Sequence, residues 1–284
     1  MVVLDGKETS AKIRQELALK VKELKAQGRK VPHLAAILVG EDGASRTYVN
    51  AKVRDCEEVG FGSTLIKLPA ETTEAELLKA IGKLNHDEDI DGYIVQLPLP
   101  KHIDETKILL AVDPRKDVDG FHLYNVGGLV LGDTVFPPCT PFGVQKMLEF
   151  ENIPIQGQNV VVVGASNIVG KPMALMLLQK DATVTVAHSR TPNLQALTLQ
   201  ADVIVAAVGK LNVLTADMVK PGAVVIDVGM NRNAQGTLCG DVDFDGVRQV
   251  ASHITPVPGG VGPMTITMLL VNTLEAAEKV ALAA

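Results

Sequence analysis

The stretch VVVVGASNIVGKPMA, residues 160–174, is an apolar run, a turn bounded by two glycines, and the opening of a helical pattern. A strand, a glycine loop and a helix N-terminus together present backbone N–H groups to an anion, and this is how many proteins hold phosphates. The loop matches neither standard template. In a P-loop, G-x-x-x-x-G-K-[ST], the place of the first glycine holds Ala165, and Pro172 follows Lys171. In the dinucleotide fingerprint, G-x-G-x-x-G, Gly164 and Gly170 stand one residue too far apart and Ser166 replaces the middle glycine. Four consecutive valines suit a strand buried on both faces. Ser166 and Asn167 can cap the next helix, with Pro172 in its first turn. An ordinary capped helix accounts for these residues as well as a phosphate cradle does.

The same rhythm recurs around this stretch. Apolar runs lie at 159–163, 183–187, 203–208 and 224–228, and a fifth ends at HITPVPGG, residues 253–260. Helical segments such as 173–178 separate them. This spacing predicts a Rossmann-like, doubly wound parallel sheet of about five strands over residues 140–263. Upstream, strands are expected at 33–40, 63–68 and 92–100, and helices at 9–27, 45–60, 73–85 and 105–112. Their alternation predicts a second α/β domain, residues 1–139. Residues 113–139, rich in Gly, Pro and Asp, read as a functional loop and connection. A helix is expected to start there with Thr140 as N-cap and Pro141 first in the helix. The tail, 264–284, is nearly free of breakers and is expected to pack back on the first domain. The fold class is therefore α/β: two α/β domains with a cleft between them.

Composition narrows the function. The net charge of -6 over 284 residues gives no basic face for nucleic acid. Aromatics are 3% with no Trp, so platforms for stacking bases are not expected. Three widely spaced cysteines, Cys56, Cys139 and Cys239, argue against a disulfide framework and against C-x-x-C metal sites. The N-terminus lacks the apolar core of a signal peptide, and no run of about 18 apolar residues predicts a membrane span. A cytoplasmic protein that binds neither nucleic acid nor membrane is expected.

Three segments carry chemistry. In dinucleotide folds the second strand ends near the adenosine ribose, where an acid reads NAD and a basic or hydroxyl residue can receive the 2′-phosphate of NADP. Here the strand TVTVA ends in His188-Ser189-Arg190-Thr191, without an acid, which favours NADP over a merely solvated loop. In the helix 45–60, steps of about 100° place Ser45, Tyr48, Val49, Lys52, Val53, Cys56 and Val59 on one side. Lys52 is the charge in that apolar stripe. Desolvation lowers a lysine pKa and makes an acid/base group; the structural alternative is a lysine whose stem packs while its ammonium reaches water. Gln96, at the end of the strand in IVQLPLP, and Asp117 and Asp119, in KDVDGFH, could converge on it, although a D-x-D turn with Asx bonds explains the acids equally.

Three motifs are set aside. Asp241, Asp243, Asp245 and Gly246 have EF-hand spacing, but position twelve is Ser252, where a calcium loop needs Glu. The histidines lack H-E-x-x-H spacing, so no metal is proposed. Tyr48 and Lys52 have the Y-x-x-x-K spacing of short-chain dehydrogenases, yet there the glycine loop precedes the pair and here it comes after.

Five segments in order, YVNAK, VQLPLP, KDVDGFH, GASNIVGKP and PVPGGVGPMT, resemble the bifunctional methylenetetrahydrofolate dehydrogenase/methenyltetrahydrofolate cyclohydrolase family, over essentially the whole chain. The resemblance implies NADP-dependent oxidation of 5,10-methylenetetrahydrofolate, then hydrolysis to 10-formyltetrahydrofolate. It implies Lys52 as the acid/base of hydrolysis, Tyr48 orienting the folate, Gln96 tuning Lys52, and Asp119 on the pterin. Ser45, Tyr48, Lys52, Val95, Gln96, Leu97, Asp119, Pro258, Gly259, Gly260 and Val261 would line the folate. Gly164, Ala165, Ser166, Ile168, Val169, Ser189, Arg190, Met230 and Thr265 would contact NADP. It further implies a homodimer. Many members carry Arg where this chain has Ala165, which places more of the 2′-phosphate on Ser189 and Arg190. Leu123 and Gly128 also depart from the commoner family pattern. Two rivals are a monofunctional NAD(P)-dependent dehydrogenase and a non-catalytic nucleotide-binding relative.

Overall fold

The computed structural model describes residues 1–40 and 43–283, and the side chains of these except at 43–48 and 280–283. In chain order the elements are β1 (Val2–Val3), α1 (Gly6–Ala26), β2 (His33–Val39), α2 (Gly43–Val59), β3 (Gly62–Leu68), α3 (Glu74–His86), β4 (Gly92–Val95), α4 (Glu105–Ala111), α5 (Leu123–Leu131), α6 (Cys139–Phe150), β5 (Asn159–Val163), α7 (Gly170–Leu178), β6 (Thr183–Ala187), α8 (Leu194–Thr198), β7 (Val203–Ala206), β8 (Val224–Asp227), β9 (Asn231–Arg232), β10 (Leu238–Cys239), α9 (Phe244–Val247), β11 (His253–Ile254) and α10 (Val261–Ala283). They form two compact units, Met1–Ala11 with Thr140–Thr265, and Lys12–Cys139 with Ile266–Ala284.

The first unit is built on a parallel sheet of order β1-β11-β8-β7-β5-β6. Val160 to Val163 are all buried, as a strand covered on both faces requires. Each such valine contributes about 1.5 kcal/mol or more of transfer free energy. One core layer joins Val161, Val163, Ile204, Val225 and Ile254 across four strands. The sheet has six strands, not five, because the N-terminus joins it. Val2 N donates to Ser252 O (2.7 Å) and Leu4 N to Ile254 O (2.9 Å). Residues 1–11, expected in the first domain, therefore belong to this unit. Two exposed strand residues are too short a run for periodicity, and their hydrogen-bond partners lie about 250 residues away.

The second unit has a three-stranded parallel sheet, β3-β2-β4. Its core packs Ile37, Tyr93 and Val95 on Leu77, Ile81 and Ile108 of α3 and α4. A full capping box, Thr73 with Glu76, starts α3. The 266–284 segment is tied to α1 by Arg14 Nη1, which donates to Thr267 Oγ1 (3.2 Å).

Three expectations are corrected. Residues 123–131 form a helix, α5, inside the expected loop. His122 Nδ1 accepts from Tyr124 N (3.1 Å) and Gly132 closes the helix at φ +79°. Gly127 and Gly128 hide it, since each glycine costs about 1 kcal/mol of helix propensity; at Gly128 a Cβ would lie 2.4 Å from Asp133 O. α6 starts at Cys139, so Thr140 is not its cap and shares a hydroxyl bond with Thr265 (3.0 Å). β4 ends at Val95, and Leu97–Pro98 is a cis peptide. Among the described residues no helix is long and apolar enough to cross a membrane.

Candidate active site

In the second unit, three segments converge on Lys52. Its side chain is 8% exposed, and Nζ donates to Gln96 Oε1 (3.1 Å). Gln96 sits just past β4, where its N–H donates to Ile37 O of β2 (2.9 Å). Its Nε2 donates to Leu97 O (2.7 Å), which turns the amide oxygen toward the lysine. Val95 is buried and Leu97 half-buried beside it. Asp55, one helical turn on, is also buried, against Arg54 and Arg14. The buried side of α2 therefore carries a second charge that the stripe of residues 45–59 omits.

The two acids of KDVDGFH have separate tasks. Residues 116–118 run beside β4: Tyr93 N donates to Lys116 O (3.0 Å), and Val118 fits because Gly92 has no side chain (a Cβ would lie 2.3 Å from it). The Asp117 carboxylate accepts from His122 N (2.7 Å) and Asn125 Nδ2 (2.8 Å), and so is spent on the loop. Asp119 instead lies beside the Cys139 thiol and faces the charge of Lys52. Burial pulls the Lys52 pKa down, opposed first by Asp119. Burial pushes Asp119 up, opposed by Lys52. The side chains of Ser45 and Tyr48 lie outside the described residues.

The first unit gathers the residues expected to bind the cofactor at the C-terminal ends of its strands, where open parallel sheets bind ligands. The wide glycine spacing has a steric cause. Gly164, at φ +131°, lies where a Cβ would sit 2.2 Å from Ala207 O, and a Cβ on Gly170 would sit 2.1 Å from Gly164 O. Gly170 thus packs on the backbone of Gly164 across five intervening residues, and Gly164 on that of Ala207. Ser166 Oγ accepts from Val169 N (3.2 Å) and Gly170 N (3.3 Å), so it caps α7. Asn167 does not; its Oδ1 accepts from Lys171 Nζ (2.7 Å). Ala165 and Val169 are half-buried, and Ile168 is exposed.

Beside this loop, Gly164 N donates to Ala187 O (2.8 Å), the last residue of β6. The chain then makes a tight turn. Thr191 N donates to His188 O (2.8 Å) and His188 N to Thr191 Oγ1 (2.9 Å). It leaves the Ser189 and Arg190 side chains exposed at its tip. Met230, also exposed, comes after β8. Pro258, Gly259, Gly260 and Val261 form the turn into α10, held by Lys7 N donating to Gly259 O (3.2 Å). Gly6 and Gly260 touch so closely that a Cβ on Gly6 would sit 1.8 Å from Gly260 O.

Two family models match. "Tetrahydrofolate dehydrogenase/cyclohydrolase, catalytic domain" covers residues 4–119, and "Tetrahydrofolate dehydrogenase/cyclohydrolase, NAD(P)-binding domain" covers residues 138–281. The chain is 63% identical over 279 residues to the bifunctional protein FolD of Paracidovorax citrulli, covering 98% of each chain. Among solved structures it resembles the bifunctional FolD dehydrogenase/cyclohydrolase of Campylobacter jejuni, at 52% identity, TM-score 0.96, and 98% and 99% coverage. It also resembles the Trypanosoma brucei methylenetetrahydrofolate dehydrogenase-cyclohydrolase complexed with NADP and an inhibitor, at 38% identity, TM-score 0.95, and 99% and 98% coverage.

The chain belongs to the tetrahydrofolate dehydrogenase/cyclohydrolase family.

Within this family member, one polar cluster escaped sequence reading. Asp241, from the segment with EF-hand spacing, is buried and accepts from three successive amides, Val208 (2.6 Å), Gly209 (3.0 Å) and Lys210 (3.0 Å). Asp227, at the end of β8, accepts from Gly229, Asp241 and Val242 N. Burial and its neighbour Asp241 push Asp227 up to about 6. The two carboxylates hold the loops after β7 and β8. Gly229 and Gly240 leave them room: a Cβ on either would lie about 2 Å from a carboxylate oxygen. The short G-D-V-D pattern held no signal for this role, because the three amides that donate to Asp241 lie 31 to 33 residues away in the chain.

Proposed function

We propose that this chain is a bifunctional one-carbon folate enzyme that oxidises 5,10-methylenetetrahydrofolate with NADP⁺ and hydrolyses the product to 10-formyltetrahydrofolate. The observation that carries the reading is the buried Lys52, oriented by Gln96 and countered by Asp119.

In the first step NADP⁺ accepts a hydride from the methylene bridge. The turn suits a dinucleotide because glycines let its backbone pack tightly at the end of β5: a Cβ at Gly164 would meet Ala207 O and one at Gly170 would meet Gly164 O. Gly164, Ala165, Ser166, Ile168 and Val169 hold the pyrophosphate side, Ser189 and Arg190 the 2′-phosphate. Met230, Thr265 and the turn 258–261 flank the nicotinamide. In the second step water adds to the bridging carbon of the methenyl cation and Lys52 takes a water proton. The bond from that carbon to N5 then breaks as N5 gains a proton and the hydroxyl loses one, leaving the formyl group on N10. A desolvated lysine suits this, because its pKa falls toward the working pH. Gln96 directs the Lys52 amine, Asp119 binds the pterin edge, and Ser45, Tyr48, Val95 and Leu97 complete the folate site.

A homodimer and a cytoplasmic setting belong to the same reading. The outer strand β6 has an open edge with Val186 38% exposed, and the cysteines are free.

The test is Lys52→Met. Methenyl hydrolysis, monitored by absorbance, should fall about 100-fold or more, while NADP⁺ binding survives. Near-normal hydrolysis in that variant would refute the assignment. Wild-type protein that forms the methenyl product but opens it no faster than buffer would instead be a monofunctional dehydrogenase.

A further inference from the structure

The acid that faces Lys52 sits in a loop with few means of holding itself in place. Asp119 lies between Val118 and Gly120, against the segment 136–139. These two segments approach closely: a Cβ on Gly120 (φ +75°) would sit 2.6 Å from Phe136 O and 2.8 Å from Pro138 N. Pro137 and Pro138 have no N–H to donate, so no regular ladder can form there. The carbonyls of Val118 and Pro137 need a donor from elsewhere.

That donor is Asn272, fully buried in α10. Its Nδ2 donates to Val118 O (2.8 Å) and to Pro137 O (3.0 Å), and lies 3.7 Å from Cys139 Sγ. Cys139 in turn donates its thiol to Val118 O (3.3 Å) and lies beside the Asp119 carboxylate. One amide thus clasps both sides of Asp119. Its own Oδ1 is buried without a hydrogen-bond partner among the described residues. An unpartnered buried acceptor is destabilising, a cost that an apolar residue at this position would avoid. The site therefore uses the donor half of the amide and tolerates the other half.

We propose that Asn272 is a positioning residue for the hydrolytic centre, setting the placement of Asp119 against Lys52 through Val118, Pro137 and Cys139. This rests on the reading of Lys52 as the acid/base group. The groups that face Lys52 are Asp119 from the loop, Cys139 from α6 and Cys56 from α2 itself. Those that face Asp119 are Lys52, Asp117 and Cys139. Of these, Asp119 is the largest influence that holds the proton on Lys52 against burial. If the clasp opens, Asp119 drifts from Lys52, and Lys52 loses its proton at a lower pH.

The experiment compares Asn272→Leu, Asn272→Ser and Lys52→Met with wild type in the full-length chain. Misplacement by about 1 Å can cost up to 100-fold in rate. Asn272→Leu should lower kcat for methenyl hydrolysis about tenfold or more and move the Lys52-dependent limb of its pH profile to lower pH. Asn272→Ser, which can keep one donor, should shift the limb in the same direction by less. Thermal unfolding of each variant, followed by circular dichroism, reports that the chain is folded, and NADP⁺ affinity reports that the other unit is intact. If Asn272→Leu does not fold, Asn272→Ser carries the test. An unmoved limb and unchanged kcat in a variant that binds NADP⁺ would overturn the inference. Normal hydrolysis by Lys52→Met would instead overturn the reading of Lys52.

Discussion

At the scale of single residues, selectivity rests on the turn after β6. Ser189 and Arg190 project from a turn whose backbone is closed by His188 and Thr191, with no acid among the four. A guanidinium there can form charge-assisted bonds to a 2′-phosphate, and a bond to a charged group contributes about 1.5–3 kcal/mol. At an exposed site the lower end applies. Arg190→Ala should therefore raise the Michaelis constant for NADP⁺ about tenfold and leave that for NAD⁺ nearly unchanged. Equal effects on both cofactors would remove Arg190 from phosphate recognition. The lone lysine of the α2 stripe was legible because burial and helical period are local properties. The division of labour between Asp117 and Asp119 was not. Both sit in one symmetric D-x-D pattern, and only the donors from His122 and Asn125 reserve Asp117 for the loop.

At the scale of elements, the glycine turn before α7 works by close packing. A helix N-terminus attracts phosphate only if the backbone can approach it, and here Gly170 packs on the backbone of Gly164 and Gly164 on that of Ala207. Gly170→Ala would place a Cβ 2.1 Å from Gly164 O, backbone against backbone, with no flexible side chain to yield. It should weaken NADP⁺ binding by about tenfold or more, because misplacing the cradle by about 1 Å has large effects. NADP⁺ titration measures this directly, and unchanged affinity would show that the turn can widen. The strand, the loop and the capping role of Ser166 were legible in order. The helix α5 was not, since two glycines mask its propensity and its ends are set by His122 and Gly132.

At the scale of the whole molecule, buried acids set the pH response of stability. Asp227 is pushed up to about 6, above the usual carboxylate value near 3.9. Above that pH it is ionised in both the folded and the unfolded chain, so its contribution is constant. As pH falls from about 6 to about 4 the folded form takes up the proton first, and stability rises by about 3 kcal/mol from this group. Glu74, Asp113, Glu149 and Asp202, held low by cationic or hydrogen-bonding partners, oppose it on acidification. The clean observable is the difference in unfolding free energy between wild type and Asp227→Asn across that window. It should shift in favour of wild type on lowering the pH and be flat above 6. A flat difference throughout would mean that Asp227 does not titrate there.

The sequence by itself determined the two α/β patterns, four main strands of the nucleotide sheet, the place of Lys52 in an apolar helical stripe and the acid-free strand end. Each arises from residue type and a spacing of a few positions. Tertiary structure alone decided that residues 2–3 complete the larger sheet, that Asp241 secures three amides of the loop after β7, that Asp119 rather than Asp117 faces Lys52, and that Asn272 clasps the loop around it. In all four the deciding partner is remote in the chain or belongs to a loop without periodicity. Hydrogen bonds and close packing of that kind depend on distances that only the folded chain establishes.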